Sequence, residues 1–327
     1  LTGEAAKDFK LSEITKKDTK RTPAPPFTTS TLQQEASRKH GFSVKQTMNI
    51  AQGLYQNGII TYMRTDSMNL SAEAIAMSLT YIEQTFGSEY AFSWGRKYKT
   101  KSSGAQEAHE AIRPTDVSKS PDSINLSGND LKLYTLIWNR TVASQMQEAK
   151  IQTTTYRFTP VEADSQEWQA KGQVVVFDGF MRLYIEWSDE DNDNEQWTAN
   201  SEQRDNEQML PKLIEGDVIT SQKFVANQSF SRPPARYTEA TLVKKLESED
   251  IGRPSTYAPT ISTIQDRGYI EKEKKHLYPT SLARLVTEYL EKNFEQMMDY
   301  KFTAKVEEEF DVIAHGKMEW TKTVSYT

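Results

Sequence analysis

A multidomain α+β fold, with two mainly helical modules joined by a β-rich segment, follows from three features of this 327-residue sequence. A helix–glycine–helix–glycine pattern occurs twice, beginning at Thr31 and at Thr241. The residues between the two copies, about 150–225, read as strands and turns. Proline- and threonine-rich stretches, KRTPAPPFTTS (20–30) and FSRPPARYTEA (230–240), flank that middle and mark boundaries. The resulting division is 1–21 with 149–235 for the β-rich domain, 22–148 for the first helical domain, and 236–327 for part of a second.

The first copy opens on STLQQEASRKHG, where Ser30 and Gln33 have the spacing of a capping box and Gly41 closes the helix. SVKQTMNIAQGLYQNG repeats the device with Ser43 and Gln46 and closes at Gly58. In the middle, IQTTTYRFTPV and DVITSQKFV supply strands, and Asp178-Gly179 between two apolar runs predicts a hairpin. The second copy reaches its second glycine, Gly268, at the same 27-residue distance from its Thr-Leu pair as Gly58 does in the first. RGYIEKEKKHLYPTS then reads as a wing, which makes both copies winged-helix-like. LARLVTEYLEKNF follows, with Leu282, Leu285, Val286, Tyr289 and Leu290 at helical spacing.

Composition narrows the classes. Charged residues at 26% and aromatics at 10% describe a globular chain. The absence of cysteine excludes disulfides and thiolate-held metals within these residues and points towards a cytoplasmic setting. No apolar run is long enough to span a membrane, and no signal-peptide pattern is present. The start at Leu1 and the end in TKTVSYT suggest a piece of a longer protein. The net charge of −6 is unevenly placed: residues 189–207 hold eight acids against one arginine, leaving the rest close to neutral. WGRKYKTKSSG (94–104) is a basic, partly aromatic stretch, either a phosphate-facing patch or a solvated loop. Two modules of helix-turn-helix outline favour a nucleic-acid protein, although such packing also occurs in proteins that never touch DNA.

The stretch GIITYMRTDS (58–67) carries the chemistry. In extended backbone alternate side chains share a face, so Tyr62, Arg64 and Asp66 project together and Thr61, Met63 and Thr65 face the other way. A phenol, a guanidinium and a carboxylate suit phosphoryl transfer; a strand tyrosine beside a solvent ion pair is the plainer reading of the spacing. On the repeat, Tyr62 falls opposite Lys272.

Four segments together resemble a known family. GIITYMRTDSMNLS, QEAHEAIRPTD (106–116), IGRPSTYAPTISTIQDRGYI (251–270) and PPFTTSTLQQEASRKHGFS (25–43) are similar, in order and spacing, to motifs of the type IA DNA topoisomerases. The likeness runs along essentially the whole chain and is closest to the bacterial topoisomerase I branch. It implies an isomerase that cuts one DNA strand, passes another through the break and reseals it without ATP. The β-rich domain would be an arch and hinge, 22–148 the movable domain, and 236–327 part of the base that holds single-stranded DNA.

By that resemblance Tyr62 is the nucleophile, forming a 5′-phosphotyrosyl link. A free phenol, with a pKa of about 10, needs neighbours that take its proton or favour the anion. Arg64 cannot be the base; its guanidinium binds phosphate oxygens and stabilises charge in the transition state. Asp66 would orient it. His109 would hydrogen-bond near the scissile phosphate and, if HEAIR is helical, share a face with Arg113, which serves structure or phosphate contact. Arg253, Ser255 and Thr256 stand at a helix start suited to phosphate, and Arg267 adds a further cation. Tyr257 is a core aromatic or a base-stacking one.

The family's metal-bearing Toprim domain and zinc-binding tail would lie outside these residues, so Mg²⁺ belongs to the complete enzyme and no metal is expected here. Asp189, Asp191 and Asp193 imitate an acidic cluster but sit in a hydrophilic loop. They do not make a calcium loop either, since Asn194 replaces the glycine and Asn200 the terminal glutamate. The expected partners are single-stranded and negatively supercoiled DNA, with a monomeric, nucleoid-associated protein and no membrane. A non-catalytic winged-helix single-strand binder, a topoisomerase III-type decatenase and a purely structural scaffold are the alternatives.

Overall fold

The computed structural model describes residues 7–98, 110–161, 167–186, 210–225, 228, 230–231 and 233–324. It is a mixed α+β structure whose residues cluster into two compact units. The first draws on Leu1–Pro23, Gln147–Ile185 and Gln196–Pro234; the second on Ala24–Met146, Glu186–Glu195 and Ala235–Thr327.

The first unit is a four-stranded antiparallel sheet in the order β3-β2-β1-β4, from β1 (Asp8–Arg21), β2 (Ala149–Pro160), β3 (Trp168–Phe177) and β4 (Val218–Thr220). Alternation decides its faces: Phe9 and Leu11 are buried while Lys10 between them is exposed. Leu11 lies opposite Phe158 and Ile14 opposite Tyr156, giving a small one-sided core with Leu210, Leu213 and Phe224. The Tyr156 hydroxyl donates to Pro211 O at 2.9 Å, so this buried phenol is satisfied. Beyond Ile14, β1 is threonine, lysine and charge, and is exposed through to Arg21.

The hairpin expected at Asp178-Gly179 does not form. β3 ends at Phe177, and Gly179–Arg182 make a 3₁₀ turn in which Phe180 N donates to Gln147 O at 3.0 Å. Phe180 and Tyr184 are buried at a spacing of four, so anchoring the turn outweighs alternation beyond β3. Gly179 is required there: its φ is +50°, and a Cβ would stand 2.6 Å from Gln147 O.

In the second unit the two copies of the repeat adopt closely matching local structure. α1 (Thr29–His40) is capped by Thr28, whose hydroxyl accepts from Thr31 N while Thr28 N donates to the Thr31 hydroxyl. α5 (Glu239–Ser248) is capped in the same way by Thr238 and Thr241. The box thus lies two residues ahead of the Ser30/Gln33 pair. Phe27 is held extended by a bridge to Ile112, so the helix starts as soon as that pairing ends, and Ser30 falls inside it. α2 (Val44–Gln56) is capped by Ser43, which accepts from Gln46 N, and Gly41 ends α1 in the left-handed region, as the sequence predicts.

Each copy also pairs its entry strand with a later segment. Ile112 N donates to Phe27 O at 2.8 Å in the first, and Leu277 N to Tyr237 O at 2.8 Å in the second. After α6 (Tyr257–Asp266) the second copy closes on a hairpin of β5 (Ile270–Glu273) and β6 (His276–Pro279). α1 packs on α5 and α2 on α6, around Val44, Val243, Tyr257 and Ile261. The copies therefore meet like element to like element.

α3 (Ala72–Phe86) and α4 (Gly128–Ser144) complete the first half. Arg140 of α4, buried, donates to Pro25 O and to Glu186, with its guanidinium 4.7 Å above the Phe27 ring. The chain ends in α7 (Ser281–Asn293), α8 (Glu295–Met298), α9 (Tyr300–Ala314) and α10 (Trp320–Val324). α7 has the predicted helical spacing, yet Leu282, Leu285 and Tyr289 are all exposed.

Candidate functional site

α2 delivers Tyr62. The helix ends at Gln56, Gly58 turns the chain at φ +70°, and Ile60 is buried in a bridge to Pro114. Thr61 fixes the next step from both sides: its N–H donates to Arg113 O at 2.9 Å and its hydroxyl to Ala111 O at 2.7 Å. Past Tyr62, the start of α1 takes over. The Thr29 hydroxyl donates to Met63 O at 2.7 Å and accepts from Thr65 N at 2.9 Å, and Thr29 N donates to Thr65 O. Tyr62 is thus pinned one residue before and one residue after itself.

Burial alternates through the stretch. Met63, Thr65 and Ser67 are buried, whereas Tyr62 is 44% exposed and Arg64 is exposed. The Tyr62 ring meets the Tyr55 ring edge-on, centroids 5.2 Å apart at 67°, and the phenol makes no hydrogen bond among the described residues. Arg64 makes no hydrogen bond or ion pair among the described residues, Asp66 included. Asp66 is half-buried, and its charge acts on Tyr257 of the second copy of the repeat. Burial, then Glu247 and Asp66, hold the Tyr257 phenol well above the usual tyrosine value. Tyr257 is buried in the core between the copies.

His109 lies outside the described residues, as do 99–104 of the basic stretch and the acids Asp189, Asp191 and Asp193. In the visible part of that stretch Trp94 is 91% exposed, while Arg96 stacks over Phe92 at 4.2 Å and its N–H donates to Gln145 Oε1. Residues 110–114 are extended, held by bridges at Ile112 and Pro114, so the helical face supposed for HEAIR is not there at Arg113. Arg113 donates to Glu110 at 2.7 Å and to Pro114 O at 3.0 Å, which commits its guanidinium to the fold.

Glu110 also accepts from Ser71 N, the cap of α3, at 2.6 Å. Burial alone would raise its carboxyl; the Arg113 bond and charge and the Ser71 N–H outweigh that and hold it below the ordinary value of 4.5. A depressed carboxyl contributes stability above 4.5 that is lost as pH falls through the folded value. Melting temperature should therefore drop more steeply below pH 4.5 in the unsubstituted chain than in Glu110→Gln; parallel pH profiles of the two test this.

Arg253 sits in a tight turn before α6. Asp250 and Gly252 both have positive φ, +57° and +82°, and the guanidinium folds back onto their carbonyls. It also donates to Asp311 at 2.8 Å and lies 3.7 Å from Glu307, both on α9. The Thr256 hydroxyl accepts from Arg253 N, and Ser255 and Thr256 are exposed. Arg267, exposed, caps the far end of α6, a helix about 15 Å long at 1.5 Å per residue. Among the described residues no group of three or more acidic or histidine side chains is placed to hold a metal ion.

Two contributors escaped the sequence reading. Glu239, buried at the start of α5, accepts from Val44 N at 2.7 Å and from Lys272 Nζ at 2.7 Å. Thr29, which clamps the flank of Tyr62, occupies the matching position in the first copy. They fall opposite each other only when the repeat is extended two residues ahead of Thr31 and Thr241, and a threonine opposite a glutamate carries no pattern to follow.

Comparison with known proteins places these features. A family model described as DNA topoisomerase matches residues 2–325. DNA topoisomerase 1 of Streptomyces coelicolor is 45% identical over 312 residues, covering 94% of this chain and 32% of the relative. DNA topoisomerase 1 of Rickettsia prowazekii is 44% identical over 324 residues, covering 95% of the chain and 40% of the relative. The solved full-length topoisomerase I of Thermotoga maritima matches with a TM-score of 0.80 at 33% identity, over 99% of this chain and 52% of that one. The chain spans 32–40% of the length of these two curated relatives.

Proposed function

Since the chain belongs to the bacterial type IA DNA topoisomerase family, we propose that it is the strand-cutting and gating portion of such an enzyme. Tyr62 attacks a backbone phosphate of single-stranded DNA and holds the 5′ end, another strand passes, and the released 3′-hydroxyl reverses the link. The outcome is ATP-independent relaxation of negatively supercoiled DNA.

One observation carries this reading: a half-exposed tyrosine pinned on both sides with its ring supported, and two residues on an exposed arginine that has no partner among the described residues. Arg64 meets the phosphate oxygens in the transition state. His109 hydrogen-bonds near the scissile phosphate. Arg253, Ser255, Thr256 and Arg267 hold the strand along α6, and Arg113 acts through structure. Asp66 we assign to the Tyr257 side of the site.

We place the movable domain at 22–148, the arch and hinge at 1–21 with 149–235, and part of the base at 236–327, the two helical parts being winged-helix modules. The described residues do not offer a fitting set of Mg²⁺ ligands; the family's Toprim domain supplies them. By itself the chain binds DNA as a monomer and cleaves little or none, and it acts in the cytoplasm at the nucleoid.

Adding that domain in trans with Mg²⁺ should yield a covalent adduct on a single-stranded oligonucleotide. Absence of an adduct would reduce the chain to a binding module. Independently, Arg253→Ala should weaken single-strand binding and make the salt slope of log K shallower by about 0.7, one phosphate contact. An unchanged slope in a salt titration removes Arg253 from the interface.

A further inference from the structure

The two copies of the repeat meet across a seam at which carboxylates of one helix accept two hydrogen bonds. At the start of α5, Glu239 accepts from Val44 N, the first residue of α2, at 2.7 Å. Two turns along, Glu247 accepts from the Ser30 hydroxyl in the first turn of α1 at 2.7 Å. The elements gripped are the two that hold Tyr62. α2 runs directly into it, and Thr29, the neighbour of Ser30, clamps Met63 and Thr65. Between the carboxylates lies a short apolar patch of Val44, Val243, Tyr257 and Ile261.

Glu239 is buried, and a buried carboxylate that lost its partners would be costly. Its charge, however, is balanced from within its own module by Lys272 Nζ at 2.7 Å. If the seam parts, Glu239 keeps Lys272, Val44 N passes to water, and the already exposed Glu247 is hydrated. Neither side is left with a buried, unpaired charge. Lys272 stands at the repeat position of Tyr62 and Glu239 at that of Thr29. The pair of positions that serves the nucleophile in one copy serves the seam in the other.

We propose that Glu239 and Glu247 are positioning residues forming a breakable latch, which holds the Tyr62-bearing segment against the module that carries Arg253. This rests on the gating reading above and names the bonds that opening breaks.

The chain has no cysteine, so spin labels at Lys45→Cys on α2 and Thr263→Cys on α6, both exposed, report the seam by electron–electron distance measurement. The parent gives one short, narrow distribution. Glu239→Gln with Glu247→Ala should raise a longer-distance population at least about tenfold, the effect of losing a hydrogen bond to a charged group. Ser30→Ala, which cuts the same bond from the other side, should move it the same way by less. A cooperative melt confirms that each variant folds; should the double variant not fold, Ser30→Ala decides. An unchanged distribution in the folded variants overturns the latch. The adduct assay on the unsubstituted chain stays separate: adduct without latch overturns only this inference, and latch without adduct only the gating chemistry.

Discussion

Tyr62→Phe abolishes covalent capture of single-stranded DNA, by at least about 10⁴-fold, and leaves the affinity for that DNA unchanged. The structure separates these effects. The Tyr62 ring packs edge-on against Tyr55, and phenylalanine preserves that contact. The hydroxyl makes no hydrogen bond among the described residues, so deleting it opens no cavity and strands no partner. The backbone at Thr61, Met63 and Thr65 is held by groups other than the phenol. What disappears is the attacking oxygen. Tyr55 supplies the internal control, being 40% exposed with its ring 5.2 Å away. An adduct that persists in Tyr62→Phe and vanishes in Tyr55→Phe would move the nucleophile seven residues upstream. Denaturing gels of labelled oligonucleotide, with the Toprim domain and Mg²⁺ present, read the adduct; filter binding reads affinity.

Local features with one physical cause were legible. The Gly41 and Ser43 caps follow from backbone sterics and a single side-chain bond, and both are found where the residues put them. Alternation in GIITYMRTDS reports which side chains are buried, and Met63 and Thr65 are. Errors arose where a long-range partner decided between two local solutions. Ser30 and Gln33 have capping-box spacing, but pairing of Phe27 with Ile112 moves the helix start to Thr28. Asp178-Gly179 has hairpin chemistry, but Gly179 is there to let the chain approach Gln147 and Glu148. HEAIR left a helix open, but residues 110–114 are extended, with bridges from Ile112 to Phe27 and from Pro114 to Ile60. The Glu239 contact to Val44 spans 195 residues and ends on a backbone amide. A main-chain donor leaves no signature at its own position, so this half of the seam could be found only in the fold.

Arg64→Ala lowers adduct formation by about 10²–10³-fold, or about 2.7–4 kcal/mol, the size of one lost transition-state donor. Its effect on stability stays within about 0.5 kcal/mol. Two neighbouring arginines show why. Arg113 is tied to Glu110 and Pro114 O, so its removal unpairs a carboxylate that also holds the N–H of Ser71, the cap of α3, and the protein is destabilised. Arg253 already shares its charge with Asp311 and Glu307, so a phosphate there competes with carboxylates. Arg64 alone among these three has no partner among the described residues. Its side chain is exposed, as is Tyr62 two residues before it, which on the proposed reading leaves it available to the charge that develops at the phosphate. Arg64→Lys should recover part of the rate, because it restores the charge without the planar fork. Single-turnover rates at saturating oligonucleotide isolate the chemical step, and a thermal melt reads stability. A variant that loses affinity in proportion to rate would make Arg64 a ground-state anchor and not a transition-state donor.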